Sequence, residues 1–283
     1  MVKLDTIYTG KALDILQSLP DNSIDLCVTS PPYNKEKNTS TGNLAGKVIY
    51  SGFRDSMPEE DYQNWQVDTL NELWRIIKPG GSLFYNHKIR WHRGMMYHPY
   101  SWLQRTKWTI RQEIIWDKMI AANLRGWRFW QVEEHIYWLY KPIGGHLVGK
   151  ELRSKHALLT SIWRIPPSRG TLHPASFPIQ LPTRIIYAIL DEEKGGIVID
   201  PFAGIGTTLV AAKLLGHHYI GIDISPDYVR IAKERLENAE AEWPAVEEEK
   251  KRHVVKKTYK QRKADGDYLG PYAKRRKNKR HKK

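Results

Sequence analysis

Residues 197–206 read Ile-Val-Ile-Asp-Pro-Phe-Ala-Gly-Ile-Gly, and no other segment limits the possible folds as tightly. Three aliphatic residues end on Asp200, a proline follows, and Gly204 and Gly206 lead into an apolar stretch that begins at Thr207. Glycine tolerates left-handed dihedrals and lets a ligand or another backbone come close, and free N–H groups at a helix start point outward. The segment predicts strand, tight turn and helix, the unit of a doubly wound α/β sheet. Asp223 stands about twenty residues on, after the apolar run Tyr219–Ile222, where a carboxylate can accept from two ribose hydroxyls. Asp200 is an anion beside the turn, which suits a ligand carrying an ammonium group, and the third glycine of a dinucleotide fingerprint is missing. The turn therefore favours an adenosyl ligand with a charged amino acid end, as in S-adenosylmethionine. Taken alone, Gly204 and Gly206 also fit a tight structural turn.

Further apolar runs bounded by Gly, Pro and Asp predict buried strands at Ile24–Thr29, Ser82–Asn86, Glu113–Trp116, His135–Tyr140 and Ile197–Ile199. Between Met57 and Ile77 the residues Tyr62, Trp65, Thr69, Leu73 and Ile77 share one helical face. Ser56 and Glu59 have capping-box spacing, and Pro79-Gly80-Gly81 predicts the stop. Thr207–Leu215, ended by Gly216, and a segment opening with Ser225-Pro226 and running to about Asn238 predict two more helices. Strands alternating with helices imply a mostly parallel, Rossmann-like sheet. Residues 35–55 read as a long mobile loop, and residues 142–172 as a small insertion that is a candidate for target recognition.

The net charge of +14 is not spread evenly. Residues 250–283 hold sixteen Lys and Arg against two Asp, which accounts for all of it, and the preceding residues balance to zero. A catalytic domain over 1–243 followed by a disordered basic tail over 244–283 is expected, the tail attracted to phosphate or merely solubilising. The polar start predicts no signal peptide, no apolar run reaches membrane-spanning length, and the lone Cys27 fits a reducing interior, so the expected location is cytoplasmic. Eleven histidines without paired spacing predict no structural metal.

Residues 29–34 read Thr-Ser-Pro-Pro-Tyr-Asn at the end of the first long apolar run. Exocyclic amino groups of cytosine and adenine are poor nucleophiles because the lone pair is delocalised into the ring. Two acceptors aimed at the N–H bonds draw the nitrogen toward tetrahedral geometry. Ser30 can offer its side-chain oxygen and Pro31 its carbonyl, while Pro31 and Pro32 fix φ in advance. Tyr33 offers a ring on which an extruded base could stack. A Pro-Pro turn with a packed tyrosine is the plainer reading of this segment in isolation.

The two motifs together resemble the amino-group DNA methyltransferases that modify cytosine N4 or adenine N6. Their order, with the catalytic loop first and the cofactor turn last, is similar to the circularly permuted beta group of that family. Leu73–Ser82, Glu134 to Lys141 and His173 to Pro178 resemble further family segments, so the likeness spans roughly residues 5–240. The resemblance implies a catalytic pocket of Ser30, Pro31, Pro32 and Tyr33. It implies an S-adenosylmethionine site of Asp200, Phe202, Ala203, Gly204, Gly206, Thr207 and Asp223, closed by His173, Phe177 and Pro178. Lys11 departs from the acidic residue that relatives carry after the position of Gly10, which leaves open whether Asp14 takes its place.

In that family serine at the head of the loop correlates with cytosine N4 and aspartate with adenine N6, so Ser30 leans toward N4. Carbon-5 chemistry would need a thiolate, and Cys27 sits inside an apolar run. The implied substrate is double-stranded DNA, in a restriction-modification setting with a possible cognate endonuclease. An RNA or protein methyltransferase and a non-catalytic DNA-binding protein are the competing readings. Six tryptophans from Trp91 to Trp130 share one stretch with six arginines from Arg90 to Arg128. That composition suits a nucleic-acid surface or plain core packing, with Arg125 and Arg128 the DNA-facing candidates.

Overall fold

The computed structural model describes residues 3–34, 56–92, 94–121, 126–144, 160–168, 177–191, 193–253 and 259–266. The first half contains β1 (Thr6–Thr9), α1 (Ala12–Ser18), β2 (Ile24–Thr29), α2 (Glu59–Ile76), β3 (Ile77–His87), β4 (Arg90–His92), β5 (Met95–Tyr97), α3 (Tyr100–Leu103), β6 (Thr109–Asp117) and β7 (Glu133–Tyr140). The second contains β8 (Ile162–Arg164), α4 (Gln180–Leu190), β9 (Ile197–Asp200), α5 (Thr207–Leu214), β10 (His218–Asp223), α6 (Pro226–Glu237), α7 (Trp243–His253) and α8 (Tyr259–Ala264).

Eight strands form one sheet in the order β1-β10-β9-β2-β3-β7-β6-β8, and β4 and β5 make a separate hairpin. From β1 to β3 all neighbours are parallel. At the other flank β7 runs antiparallel to β3 and β6, and β8 returns parallel to β6. One face of the sheet is covered by α4 to α7, whose Leu181, Ile185, Leu209, Val229 and Val246 join Leu26, Val28 and Val198 in one core. The other is covered by α1 to α3, with Leu16, Tyr62, Leu73 and Trp102 against Cys27, Leu83 and Ile199. Helices on both faces of a mostly parallel sheet make the doubly wound, Rossmann-like architecture expected from the sequence.

The centre of the sheet positions the site. β2 pairs with β9 in parallel, Leu26 opposite Val198 and Cys27 opposite Ile199. The chain leaves β2 toward β3 on one side and leaves β9 toward β10 on the other. Such a switch point opens a crevice at the carboxyl ends of the two strands. The Thr29–Asn34 loop and the Asp200–Gly206 turn both start there.

The six expected strands all lie inside observed ones. Elsewhere several expectations change. The helix over 59–76 begins at Pro58 with no side-chain cap, because Glu59 is bound in two hydrogen bonds to the Arg90 guanidinium (2.8 and 2.7 Å). It stops at Ile76, before Pro79-Gly80-Gly81, and those residues lie inside β3. Lys141 explains the stop: its buried Nζ donates to the carbonyls of Trp74 and Ile77 (2.8 and 2.7 Å) and to Asn22 Oδ1 (2.8 Å). These are carbonyls that a helix end leaves without intrahelical partners. The proposed 142–172 insertion includes β8, which extends the sheet, while residues 145–159 and the 35–55 loop lie outside the described residues.

The boundary at 243/244 also moves. α7 packs on α4, with Val246 fully buried and Glu249 bound to Arg184 at 2.6 Å, both side chains more than nine-tenths buried. Residues 243–253 therefore belong to the folded domain, and the basic segment past 266 lies outside the described residues. No described helix is long and apolar enough to cross a membrane.

Candidate active site

The two motifs meet through one carboxylate. Asp200 Oδ1 accepts from Thr29 Oγ1 (2.8 Å) and from the Phe202 N–H (3.1 Å), and Oδ2 accepts from Thr208 Oγ1 (2.7 Å). The side chain is 1% exposed, and burial pushes its pKa up to about 6 in spite of those bonds. Asp200 thus ties the loop to the turn. The sequence shows its charge but not its burial.

Asp223 occupies the end of β10. Its Oδ2 accepts from the Gly204 N–H and its Oδ1 from the Ser225 N–H, both at 2.8 Å, so it fixes the glycine turn from outside. Each oxygen retains a lone pair for a hydroxyl, and burial raises the pKa of the group. Gly204 and Gly206 take φ of 52° and 79°, and a Cβ on Gly206 would stand 3.0 Å from the Ala232 Cβ. Ala203 is held to β10 by its N–H to the Ile222 carbonyl (2.9 Å). The Phe202 ring, partly exposed, meets the Trp65 ring edge-on at 5.5 Å. Thr207 is buried and its Oγ1 accepts from Arg235 (2.8 Å), which is itself paired with Glu242, so its side chain braces α6. Pro178 is buried and Phe177 half-buried against the core, whereas His173 lies outside the described residues. The donor set fits a nucleoside with an extended polar tail: a carboxylate for hydroxyls, a backbone turn that permits close approach, and aromatic edges. Lys11 caps α1 without a side-chain bond, and Asp14 lies in the first turn.

Ser30 sits half-buried at the mouth of the crevice. Its Oγ lies 2.7 Å from Tyr33 Oη, and Asn86 Nδ2 reaches Ser30 Oγ at 3.2 Å and Tyr33 Oη at 2.9 Å. Tyr33 Oη donates to Glu134 Oε2 (3.0 Å), Asn86 Nδ2 also donates there (2.9 Å), and Glu134 Oε1 is paired with Lys118 Nζ (2.8 Å). This network fixes proton directions. Glu134, salt-bridged to Lys118, only accepts, so the Tyr33 proton points to it and the Ser30 proton points to Tyr33. A lone pair of Ser30 Oγ then remains for an external N–H. Tyr33 is itself buried, its ring 4.5 Å from His87, and its hydroxyl joins Ser30 to Glu134.

The Pro32 carbonyl accepts from Tyr62 Oη (2.8 Å), while no described residue donates to the Pro31 carbonyl. Asn34, at φ 52°, exchanges two bonds with the Met57 backbone (2.6 and 3.0 Å) and so clamps the two ends of the 35–55 segment beside the site. Cys27 is fully buried, and burial followed by the Asp200 charge pushes its thiol up, which removes it as a nucleophile.

Sequence reasoning missed Thr29, Asn86, Lys118, Glu134 and Thr208. Thr29 and Thr208 adjoin the two motifs, and Asn86 and Glu134 lie at ends of recognised segments, but nothing in the sequence shows that these side chains and Lys118, just past β6, converge on Ser30 and Asp200. It also missed a side-chain cluster of His98, Glu113 and His135, whose ligand-type atoms lie within 4.8 Å of one another. There His135 Nδ1 bonds Glu113 at 2.6 Å and His98 Nδ1 accepts the Tyr100 N–H, which leaves the His98 proton on Nε2, facing Glu113. Of the tryptophans, Trp102, Trp108 and Trp116 are core, and Trp127 and Trp130 are exposed. Arg125 lies outside the described residues, and Arg128 stacks on Trp91 at 4.1 Å.

A doubly wound sheet whose switch point joins a nucleoside-type glycine turn to a Ser-Pro-Pro-Tyr loop defines an enzyme that brings a nucleotide-like donor to a second planar group. Comparison with known proteins narrows the class. Residues 24–234 match the N6/N4 DNA methylase family, and the chain belongs to it. It is 28% identical over 268 residues to the Type II methyltransferase M.BglII of Bacillus subtilis, covering 82% of this chain and 69% of that protein. It is 27% identical to the Type II methyltransferase M.ScaI of Streptomyces caespitosus, covering 83% and 82%. Among solved structures it resembles a candidate DNA modification methylase of Thermus thermophilus complexed with S-adenosyl-L-methionine (TM-score 0.59, 27% identity, 82% of this chain and 93% of that one). The fold also matches the cytosine-N4-specific PvuII DNA methyltransferase (TM-score 0.64, 20% identity, 87% and 93%).

Proposed function

We propose that the protein transfers a methyl group from S-adenosylmethionine to the exocyclic amino nitrogen of a base in double-stranded DNA, with cytosine N4 as the target. The observation that carries this reading is the Thr29–Asp200–Thr208 tie, which makes the Ser30 loop and the glycine turn adjoining walls of one crevice. S-adenosylmethionine supplies an electrophilic methyl on a sulfonium. Everything else falls to the chain. Asp223 and the Ala203–Gly206 backbone hold the nucleoside end, and Phe202 and Trp65 flank it. Ser30 Oγ and the Pro31 carbonyl accept the two amino N–H bonds and localise the nitrogen lone pair toward the donor. The nitrogen forms its bond to the methyl carbon as the carbon–sulfur bond breaks. The surplus proton then leaves by way of Ser30 and Tyr33 toward Glu134, along hydrogen bonds already present.

Neutral Ser30 at the head of the loop favours cytosine over adenine, in line with the family correlation; adenine N6 is the second reading, favoured by the Glu134 carboxylate two hydrogen bonds away. The Type II naming of the relatives supports a restriction-modification setting with a cognate endonuclease, inside the cell. The basic C-terminal segment adds sequence-independent phosphate affinity. Two variants separate the roles. Ser30→Ala is expected to lower kcat about a hundredfold while leaving S-adenosylmethionine binding within about threefold. Asp223→Ala is expected to weaken cofactor binding at least about tenfold by calorimetry. Equal effects of both variants on both quantities would contradict the assignment.

A further inference from the structure

The connection between β6 and β7 leaves the sheet at the wall of the Ser30 pocket and carries five exposed large apolar side chains, three of them the aromatic rings of Trp127, Phe129 and Trp130. Its ends are anchored. The Lys118 N–H donates to the Val132 carbonyl (2.8 Å), and Gln131 Nε2 donates to the Ile89 carbonyl (3.2 Å). Lys118 and Glu134, which flank the arm, are the ion pair that ends the Ser30–Tyr33 network. Phe129 is five residues from Glu134, at most about 17 Å of extended chain.

Phe129 is 98% exposed, with Trp127 and Trp130 at 57% and 61% beside it. An exposed cluster of rings does nothing for the fold and marks a surface that meets a partner. The partner's chemistry follows from Arg128. Its guanidinium lies 4.1 Å over the Trp91 ring and 5.7 Å from the Trp127 ring, its Nη1 donates to the Phe129 carbonyl (3.0 Å), and no described carboxylate pairs with it. Trp91 belongs to β4, so this contact pins the arm to the β4–β5 hairpin. An unneutralised cation held between aromatic rings fits a polyanion with stacked bases better than a protein or a lipid surface.

We propose that Phe129 is a wedge that enters the DNA base stack and fills the space left when the target base turns out into the Ser30 pocket, while Arg128 holds a neighbouring phosphate. The inference rests on the function proposed above. A base inside a duplex cannot reach Ser30, and extrusion sacrifices its stacking and pairing. An apolar ring inserted between base steps recovers part of that loss, and a ring already in water gives up no packing in the free protein.

The test compares two synthetic duplexes of the methylated sequence, one fully paired and one with an abasic site opposite the target base. On the paired duplex Phe129→Ala is expected to lower kcat/KM at least about tenfold. With the abasic partner, where extrusion costs less, the loss should shrink to about threefold or below, and Phe129→Trp should stay near wild type on both. Because Phe129 makes no packed contact, the variant's Tm should not move. Equal losses on the two duplexes, or none on either, would overturn the wedge while wild-type turnover stands. A wild-type protein that methylates neither duplex overturns the proposed function and the wedge together.

Discussion

Asp200 shows how one buried group can hold two segments of a site together. Its three bonds reach back to Thr29, forward to Thr208 and onto the turn at Phe202, so the loop and the turn cannot shift independently. The cost is visible in its proton affinity, raised by burial from an ordinary 3.8 to about 6. A carboxyl raised on folding binds its proton more tightly in the native state, so its ionisation destabilises the fold as pH rises. The penalty is absent below about 3.8 and complete above about 6. Asp200→Asn removes the titration. The Tm of the wild type should therefore gain on that of the variant as pH falls from 7 to 4, with most of the change between 6 and 4. A difference that does not vary with pH would place the carboxylate in a more solvated setting than the structure gives it. Thr29 and Thr208 carry hydroxyls where the bare pattern needs only small residues, and a charged residue's burial is not encoded by its neighbours in the chain. Asp200 was therefore legible as important, while its burial and its bonds to the two threonines were not.

Elements with strong local signals were the legible ones. Largely apolar runs of three to six residues gave β2, β9 and β10, and the Ser225-Pro226 start of α6 is capped as its residues suggest, with the Tyr228 N–H donating to Ser225 Oγ. β1 and β8, of four and three residues, are too short for a period to show. α4 hides for a different reason: eight of its eleven residues are buried, so no polar face alternates with the apolar one, and Pro182 falls in its first turn. α7 is hidden by its charge. Its run of Glu, Lys and Arg reads as solvated, but Glu249 points inward to Arg184 and Val246 enters the core. Breaking a buried ion pair leaves an uncompensated charge worth about 3–5 kcal/mol. Ending the chain at Trp243 should lower unfolding stability in urea by at least about 3 kcal/mol, whereas ending it at His253 should leave it unchanged. Equal stabilities would mean that α7 docks without contributing.

For the whole molecule, topology decides more than any motif. The Ser30 loop and the Gly204 turn adjoin because β2 and β9 are parallel neighbours at the point where the strand order reverses. The permuted order of loop and turn along the chain is invisible in space: both stand at carboxyl ends of the same sheet, where ligands bind in such folds. Charge is arranged on the same scale. Residues past His253 hold thirteen Lys and Arg against two Asp and stand apart from a domain of net charge only +3, and a chain ending at His253 should keep its low-salt activity with a shallower dependence on salt concentration. The antiparallel flank of β6 and β7 supplies Glu134, Lys118 and the Phe129 arm, on the side of β2 away from the glycine turn. The most direct measurement is nucleoside mass spectrometry of DNA from cells expressing the protein in a methylation-free background. The account predicts N4-methylcytosine, lost with Ser30→Ala. DNA holding neither N4-methylcytosine nor N6-methyladenine, from cells whose protein is folded and binds S-adenosylmethionine, would contradict it.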